Sequence, residues 1–290
     1  MIQAARVSLL GLAVGDAFGC MLDTREPRQR AKRLISMQRP WRWSDDTAMA
    51  ISVVDELAAH GTIDPDRLAR AFAERYAREP DRGYGAGAAT ILERIARGAD
   101  WRTEAGALFN GTGSYGNGAA MRAAPIGAYF APDLERVRAE ALRSAAPTHA
   151  HPDGVAGAVA VAIAAALGRG LDLAEVARWT PASPTRDRIL RACDLGLAFD
   201  VQLAGEELGT GTNISSRDTV PFALWVAARH IGSFEEALWT VTAHPELDWA
   251  SAVVASLDRD TLGAIVGGIV ACAVGLDGIP VLWREATEAT

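Results

Sequence analysis

Lysine is almost missing from this chain: Lys32 stands alone, and arginine supplies the rest of the 29 basic residues. Beside abundant alanine and glycine, such a bias reads as coding composition and points to no partner. Cysteine is scarce and odd in number, at Cys20, Cys193 and Cys272. Their spacing offers neither a disulfide framework nor a zinc-ligand pattern and fits a reducing compartment. Positive charge is in deficit, the formal net charge being −7. A nonspecific nucleic-acid binder, which needs a basic surface to displace counterions, is thereby excluded. Residues 1–6 lack a basic region leading to a small-residue cleavage site. The longest apolar stretches, Val155 to Leu167 and Leu262 to Leu276, fall short of the roughly 20 residues that span a bilayer. They read as buried helices, and the expectation is a cytoplasmic protein with no membrane partner.

Alternating β-branched runs, Pro/Ser-rich linkers and internal repeats are also absent. What remains is helical spacing in a chain of 290 residues, 49% hydrophobic and 22% charged, enough for a substantial core. Asp64-Pro65 supplies an N-cap and a first-turn proline for a helix running to about Arg78, with Leu68, Ala69, Phe72 and Tyr76 on its apolar face. Ser233 and Glu236 form a capping-box pattern before Ala237, Leu238 and Trp239. Small residues crowd 154–162 and 263–270, which suits close helix packing. These signals predict an all-α fold, a single compact multi-helix domain over residues 1–290, monomeric or weakly homodimeric.

Two aspartate clusters, Ser44-Asp45-Asp46-Thr47 and Asp258-Arg259-Asp260-Thr261, each open into an apolar helical pattern. Such residues cap free N–H groups at helix starts. Brought together, the same carboxylates and hydroxyls would offer the all-oxygen ligands that Mg²⁺ and Mn²⁺ prefer. The matched pattern favours the metal-centre reading.

Four other segments are irregular. Gly11, Gly15 and Gly19 interrupt an apolar helical pattern that ends near Asp23, which suggests close backbone approach. The stretch 110–118 is glycine-rich and precedes Ala119 to Arg122, so it is either a plain loop or an anion cradle. Residues 147–153 carry His149 and His151, whose spacing fits no zinc motif and which are not counted as metal ligands. The stretch 208–216 is a second Gly/Thr/Ser loop, plain or nucleotide-cradling.

In this order the segments resemble the ADP-ribosylglycohydrolase family. The resemblance rests on Gly-x-Ala-x-Gly-Asp-Ala-x-Gly at 11–19, Trp43-Ser44-Asp45-Asp46-Thr47, Gly116-Asn117-Gly118-Ala119-Ala120-Met121-Arg122, Thr148-His149 and Asp258-Arg259-Asp260-Thr261. It implies an all-α fold with a central metal-containing cleft and hydrolysis of the bond between ADP-ribose and a side chain of an ADP-ribosylated protein, arginine ahead of serine. Two Mg²⁺ or Mn²⁺ ions would be held by Ser44, Asp45, Asp46, Asp258, Asp260 and Thr261. The loop Gly113, Ser114, Tyr115, Gly116, Asn117 with His149 would meet the diphosphate and ribose, and Gly211, Ile214 and Ser215 the adenosine. Asp23, Asp45 and Asp258 are the implied catalytic carboxylates.

Two positions depart from the family pattern. Asp23 stands where many members carry glutamate, one methylene longer, and misplacement of about 1 Å lowers rates on the order of 100-fold. Ser256-Leu257 replaces paired glycines and is expected to narrow the cleft or tilt the loop of the second cluster. A noncatalytic ADP-ribose-binding relative is therefore the alternative reading. A class I terpene synthase would need a third acidic residue downstream of Asp45-Asp46, which the sequence lacks.

Overall fold

The structure is a computed structural model that describes residues 1–25, 29, 30, 32–36, 38–243 and 257–290. The described chain is built from α-helices. The first half holds α1 (Ile2–Asp23), α2 (Asp45–His60), α3 (Pro65–Arg78), α4 (Ala86–Ala96), α5 (Trp101–Gly111), α6 (Ala124–Phe130) and α7 (Leu134–Ala145). The second half holds α8 (Pro152–Leu167), α9 (Leu173–Trp179), α10 (Pro184–Leu195), α11 (Val201–Leu208), α12 (Ser216–Arg229), α13 (Phe234–Ala243), α14 (Arg259–Val274) and α15 (Val281–Ala286). Extended pairing among the described residues is confined to isolated bridges, Trp41 with Thr287 and Gly116 with Ser215. One large apolar core runs through most helices, and a small satellite of Ala69, Ala73, Ile91 and Ile95 joins α3 to α4.

The centre of the fold is α1 against α14, its most extensively packed helix pair. Gly11, Gly15 and Gly19 recur every fourth residue and so share one face of α1. The sequence reading expected them to interrupt a helix, but α1 is continuous through all three. Their purpose is the close approach. A Cβ on Gly15 would stand 2.0 Å from the Gly263 carbonyl oxygen, and one on Gly263 would stand 2.2 Å from the Gly15 oxygen. Gly11 and Gly267 repeat the arrangement one turn away, and Gly19 meets the Arg259 carbonyl. The contact spans the whole chain and sets residues 16–23 beside residues 258–263.

Local signals explain the helix starts. Asp64 accepts from the amides of Asp66 and Arg67, and Pro65 opens α3, which ends at Arg78 as the spacing predicts. The Ser233 hydroxyl accepts from the Glu236 amide at 3.4 Å. The capping box is only half made, however, because the Glu236 carboxylate turns outward to pair with Arg33, with one N–O distance of 2.8 Å. A charged partner outcompetes a backbone amide here.

A C-terminal strap braces the start of α2. The Trp41 amide donates to the Ala286 carbonyl, and the Glu288 amide donates to the Trp41 carbonyl. Arg82 lies 3.6 Å over the Trp43 ring and grips both Glu288 oxygens at 2.8 Å. Its carbonyl accepts the Asp45 amide.

Two helices, Ile2–Asp23 and Pro152–Gly170 when the short 3₁₀ extension is counted, are long and apolar enough to cross a membrane by length and composition. This corrects the sequence reading, which counted only uninterrupted apolar runs and so missed α1, where Asp16 breaks the run. Both helices are mostly buried against the rest of the fold. Ser256 lies outside the described residues, and Leu257 is buried in the main core.

The glycine contact predicts a contrast. Gly15→Ala forces a methyl group into backbone and lowers unfolding free energy by about 3 kcal/mol or more. Gly106→Ala, whose Cβ would meet nothing within 4 Å, raises it by roughly 0.5 kcal/mol by relieving chain entropy. Urea unfolding of both variants checks the pair.

Candidate active site

The α1–α14 contact delivers a concentration of carboxylates. Asp16 is fully buried and accepts from the Ser44 amide at 3.0 Å, the Thr47 amide at 3.1 Å and the Thr47 hydroxyl at 2.6 Å. It therefore caps α2 from a distance and ties the first aspartate cluster to α1. Sequence reasoning gave Asp16 no role. Its position mid-pattern in an apolar helix, where an unpaired charge is expensive, was the available signal.

Ser44 caps α2 itself, accepting from the Asp46 amide while donating its hydroxyl to Asp46 Oδ2 at 3.0 Å. The helix-cap reading of the first cluster is met at this residue. Asp46 Oδ1 is buried without a hydrogen-bond partner. In the second cluster Asp258 Oδ2 accepts from Asn117 Nδ2 at 2.6 Å, and Thr261 is buried beside it. Arg259, between the two aspartates, turns to Asp23 at 3.1 Å and donates through Nε to the Thr242 carbonyl.

The carboxylates feel one another. Burial, then the charge of Asp260, pushes Asp16 up from 3.8 to about 7 against its hydrogen bonds from Thr47 and Ser44. Burial, then Asp16 and Asp260, lifts Asp45 to about 7, with Arg122 opposing. Asp46 and Asp258 are driven well above the ordinary carboxylate range, by burial first and neighbouring aspartates next. Asp23, half-exposed at the end of α1, is raised by burial and by Asp260 while Arg259 pulls it back. The described His, Cys, Asp and Glu side chains do not close on a common point as a ready-made metal cage. The arrangement is a field of coupled carboxylates with one orphaned oxygen.

The two glycine-rich loops lie side by side. Gly116 and Ser215 form an antiparallel bridge, Asn117 donates its amide to the Ile214 carbonyl at 3.3 Å, and Ser216 donates to the Tyr115 carbonyl at 3.0 Å. Ser114 Oγ accepts from the Gly116 amide, and Gly113, at φ +77, packs against Ala150 and His151. Gly211, at φ +84, leaves room for Asp258, whose Cβ would stand 2.4 Å from any Cβ there. Ile214 is held at φ +52 although it is β-branched and 66% exposed. Such strain is on the order of 1–3 kcal/mol and collects at functional sites.

His149 is buried next to this loop pair, and burial lowers it from 6.5 to about 3, with Arg122 adding to the shift. His151 instead caps α8, its Nδ1 accepting from the Asp153 amide at 3.1 Å. Phe109, which sequence reasoning missed, stacks near Tyr115 with ring centroids 5.0 Å apart. Both rings are exposed, and the left-handed backbone at Phe109 and Asn110 was invisible to a helical pattern.

The comparisons agree with this architecture. The family model for ADP-ribosylglycohydrolase matches residues 2–290, and the chain belongs to that family. It is 30% identical to the mouse ADP-ribosylhydrolase ARH3, an alignment covering 99% of this chain and 88% of that protein. The human ADP-ribosylhydrolase ARH3 is 31% identical over 85% of this chain and 74% of its own length. The ADP-ribosylarginine hydrolase Tri1 of Serratia proteamaculans is 24% identical, covering 98% and 75%. A solved structure titled ADP-ribosylglycohydrolase-related protein complex shares the fold, with a TM-score of 0.68 and 24% identity over 99% of this chain and 93% of that one.

Carboxylates raised by burial and by one another hold protons in the folded state that the unfolded chain has lost. Their contribution is therefore present below 3.8 and is lost as pH rises towards about 7. A divalent cation that replaces those protons stabilises the fold most where they have left. Millimolar Mn²⁺ or Mg²⁺ is expected to raise the Tm by about 4 °C or more near pH 7.5 and by far less near pH 5. Asp260→Ala removes the shift, as thermal unfolding at both pH values checks.

Proposed function

We propose that this protein hydrolyses the bond between ADP-ribose and a protein side chain, assisted by two Mg²⁺ or Mn²⁺ ions. The observation that carries the reading is the buried, partnerless Asp46 Oδ1 inside a cluster of aspartates that raise one another. An all-oxygen donor set with an unsatisfied lone pair fits a hard cation. Ser44, Asp45, Asp46, Asp258, Asp260 and Thr261 would hold the ions. Bound there, they supply Lewis acidity to the ribose hydroxyls and to an attacking water.

The chain's own groups account for the rest. The exposed faces of Phe109 and Tyr115 suit an adenine ring. Beside them a cavity of about 450 Å³ is lined by Tyr115, Pro184, Arg188, Asn213, Ser215, Arg217 and Asp218; its two arginines suit anionic oxygens, although Arg188 also faces Asp218 at 4.0 Å. The loop from Gly113 to Asn117 presents backbone to the diphosphate. Asn117 fixes Asp258 at 2.6 Å. Water adds to the anomeric carbon as the bond to the side-chain atom breaks, and that atom leaves with the bonding pair and is protonated from solvent. Asp23, raised by burial, accepts the water proton, and neighbouring carboxylates stabilise the oxocarbenium-like charge. The acceptor read here is arginine ahead of serine, a preference supported by the name of the Serratia relative; the names of the more similar relatives specify no linkage, so serine-linked substrate is assayed in parallel.

One observation favours a second, noncatalytic reading: the Arg259 guanidinium holds Asp23 at 3.1 Å, which opposes proton uptake. Release of free ADP-ribose from arginine- and serine-linked substrates in the presence of Mn²⁺ decides between them. Asp23→Asn is expected to lower kcat about 100-fold or more while ADP-ribose affinity stays within roughly tenfold. Tight ADP-ribose binding with neither linkage cleaved establishes the noncatalytic reading.

A further inference from the structure

Arg122 is among the largest fully buried side chains in the molecule, and it is a cation. Among the described residues no carboxylate pairs with it directly. Its guanidinium instead donates to the carbonyls of Gly118 at 3.1 Å and Ser144 at 2.8 Å and to Thr148 Oγ1 at 2.9 Å, over the Phe72 ring at 4.4 Å. Burying a guanidinium in this way is expensive. Capping two carbonyls does not require a charge. The contact to Thr148 is where the charge has a consequence.

An arginine only donates, so Thr148 Oγ1 accepts from it. The same oxygen lies 2.7 Å from His149 Nδ1, and Thr148 is 2% exposed. If Nδ1 carried a proton, two donors would converge on Oγ1 and the hydroxyl hydrogen would be stranded in a buried site. If Nδ1 is bare, the hydroxyl donates to it, and Thr148 Oγ1, its hydrogen and Nδ1 are all paired. The proton then sits on Nε2, for which the described residues provide no acceptor. Nε2 borders the glycine loop: a Cβ on Gly116 would stand 3.6 Å from it and one on Gly118 3.5 Å. Glycine at both positions leaves the Nε2–H edge open to whatever the loop binds.

We propose that Arg122 and Thr148 are positioning residues that lock His149 as the neutral Nε2–H tautomer, aimed as a hydrogen-bond donor at the ligand side of the Gly116–Gly118 loop. The inference rests on the ligand-binding role proposed for that loop, but its primary readout needs no ligand. Burial and Arg122, the one charge bearing on the ring, both oppose protonation, in keeping with a permanently neutral imidazole. A neutral donor contributes direction without drawing the diphosphate away from the cations.

The test is a long-range ¹H–¹⁵N correlation spectrum of the labelled full chain, with His149 assigned by the loss of its signals in His149→Asn. Wild-type Nδ1 is expected at a pyridine-type shift and Nε2 at a pyrrole-type shift at both mildly acidic and neutral pH. Thr148→Val moves both nitrogens towards intermediate, exchanging values and weakens ADP-ribose about tenfold. Thr148→Ser restores the pattern and brings affinity back within about twofold. A pyrrole-type Nδ1 or a charged ring in the wild type overturns the proposal, and so does an unchanged pattern in folded Thr148→Val. The wild-type spectrum alone decides if that variant does not fold. A wild type with the expected tautomer that fails to bind ADP-ribose supports the lock and overturns the proposed function instead.

Discussion

Everything at the site depends on how closely α1 and α14 approach. A Cβ on Gly15 or Gly263 would stand only 2.0 or 2.2 Å from the opposing carbonyl oxygen; the two backbones touch, and residues at opposite ends of the chain become neighbours. Asp16 follows Gly15, and Arg259 and Asp260 sit one turn before Gly263. A wider separation would dilute the mutual repulsion of Asp16 and Asp260. The small side chains do not merely fill a core. They set the charge density of the site.

That density needs an answer, and the chain supplies little of it internally. Arg259 is spent on Asp23 and the Thr242 carbonyl, and Arg82 on Glu288 and the Trp43 ring. Arg122 acts on Asp45 only from a distance. Hydrogen bonds from Asn117, Thr47 and Ser44 offset part of the cost for Asp258 and Asp16, but Asp46 Oδ1 has none. Groups in this state either keep protons near neutral pH or take up a cation. The same physics, burial first and the charge of Asp260 with it, raises Asp23, with Arg259 opposing.

The helical class, the helix starting at Asp64-Pro65 and both aspartate clusters were readable in the sequence because each is a local signal: a period, a cap, a pair of carboxylates. The pairing of the two glycine-rich loops was not, since Asn117 and Ile214 meet through backbone groups whose placement depends on α8 and α12. The role of Asp16 was hidden because its partners, Ser44 and Thr47, lie a whole loop away. The capping box at Ser233 was half right because a local pattern cannot see Arg33 competing for Glu236. The left-handed conformation of Ile214 contradicts its own residue type, and no propensity argument reaches it. Misreadings of this kind fall where tertiary contacts override local preference.

Asn117 is where the cluster and the loops become one object. Its side-chain amide donates to Thr219 Oγ1 at 3.0 Å and to Asp258 at 2.6 Å, and its backbone amide donates to the Ile214 carbonyl. Its own carbonyl accepts from Ala120 and Met121, starting the turn that leads to Arg122. A shift of the Gly116–Gly118 loop therefore moves the hydrogen bond that holds Asp258, and a displacement of Asp258 pulls on the loop in return. The two places are linked mechanically through one amide group. The strain at Ile214 fits the same logic. The conformation is held because the Ile214 amide donates to the Gly211 carbonyl and its carbonyl accepts from the Asn117 amide, while the Ser216 amide donates to the Tyr115 carbonyl and keeps the two loops in register.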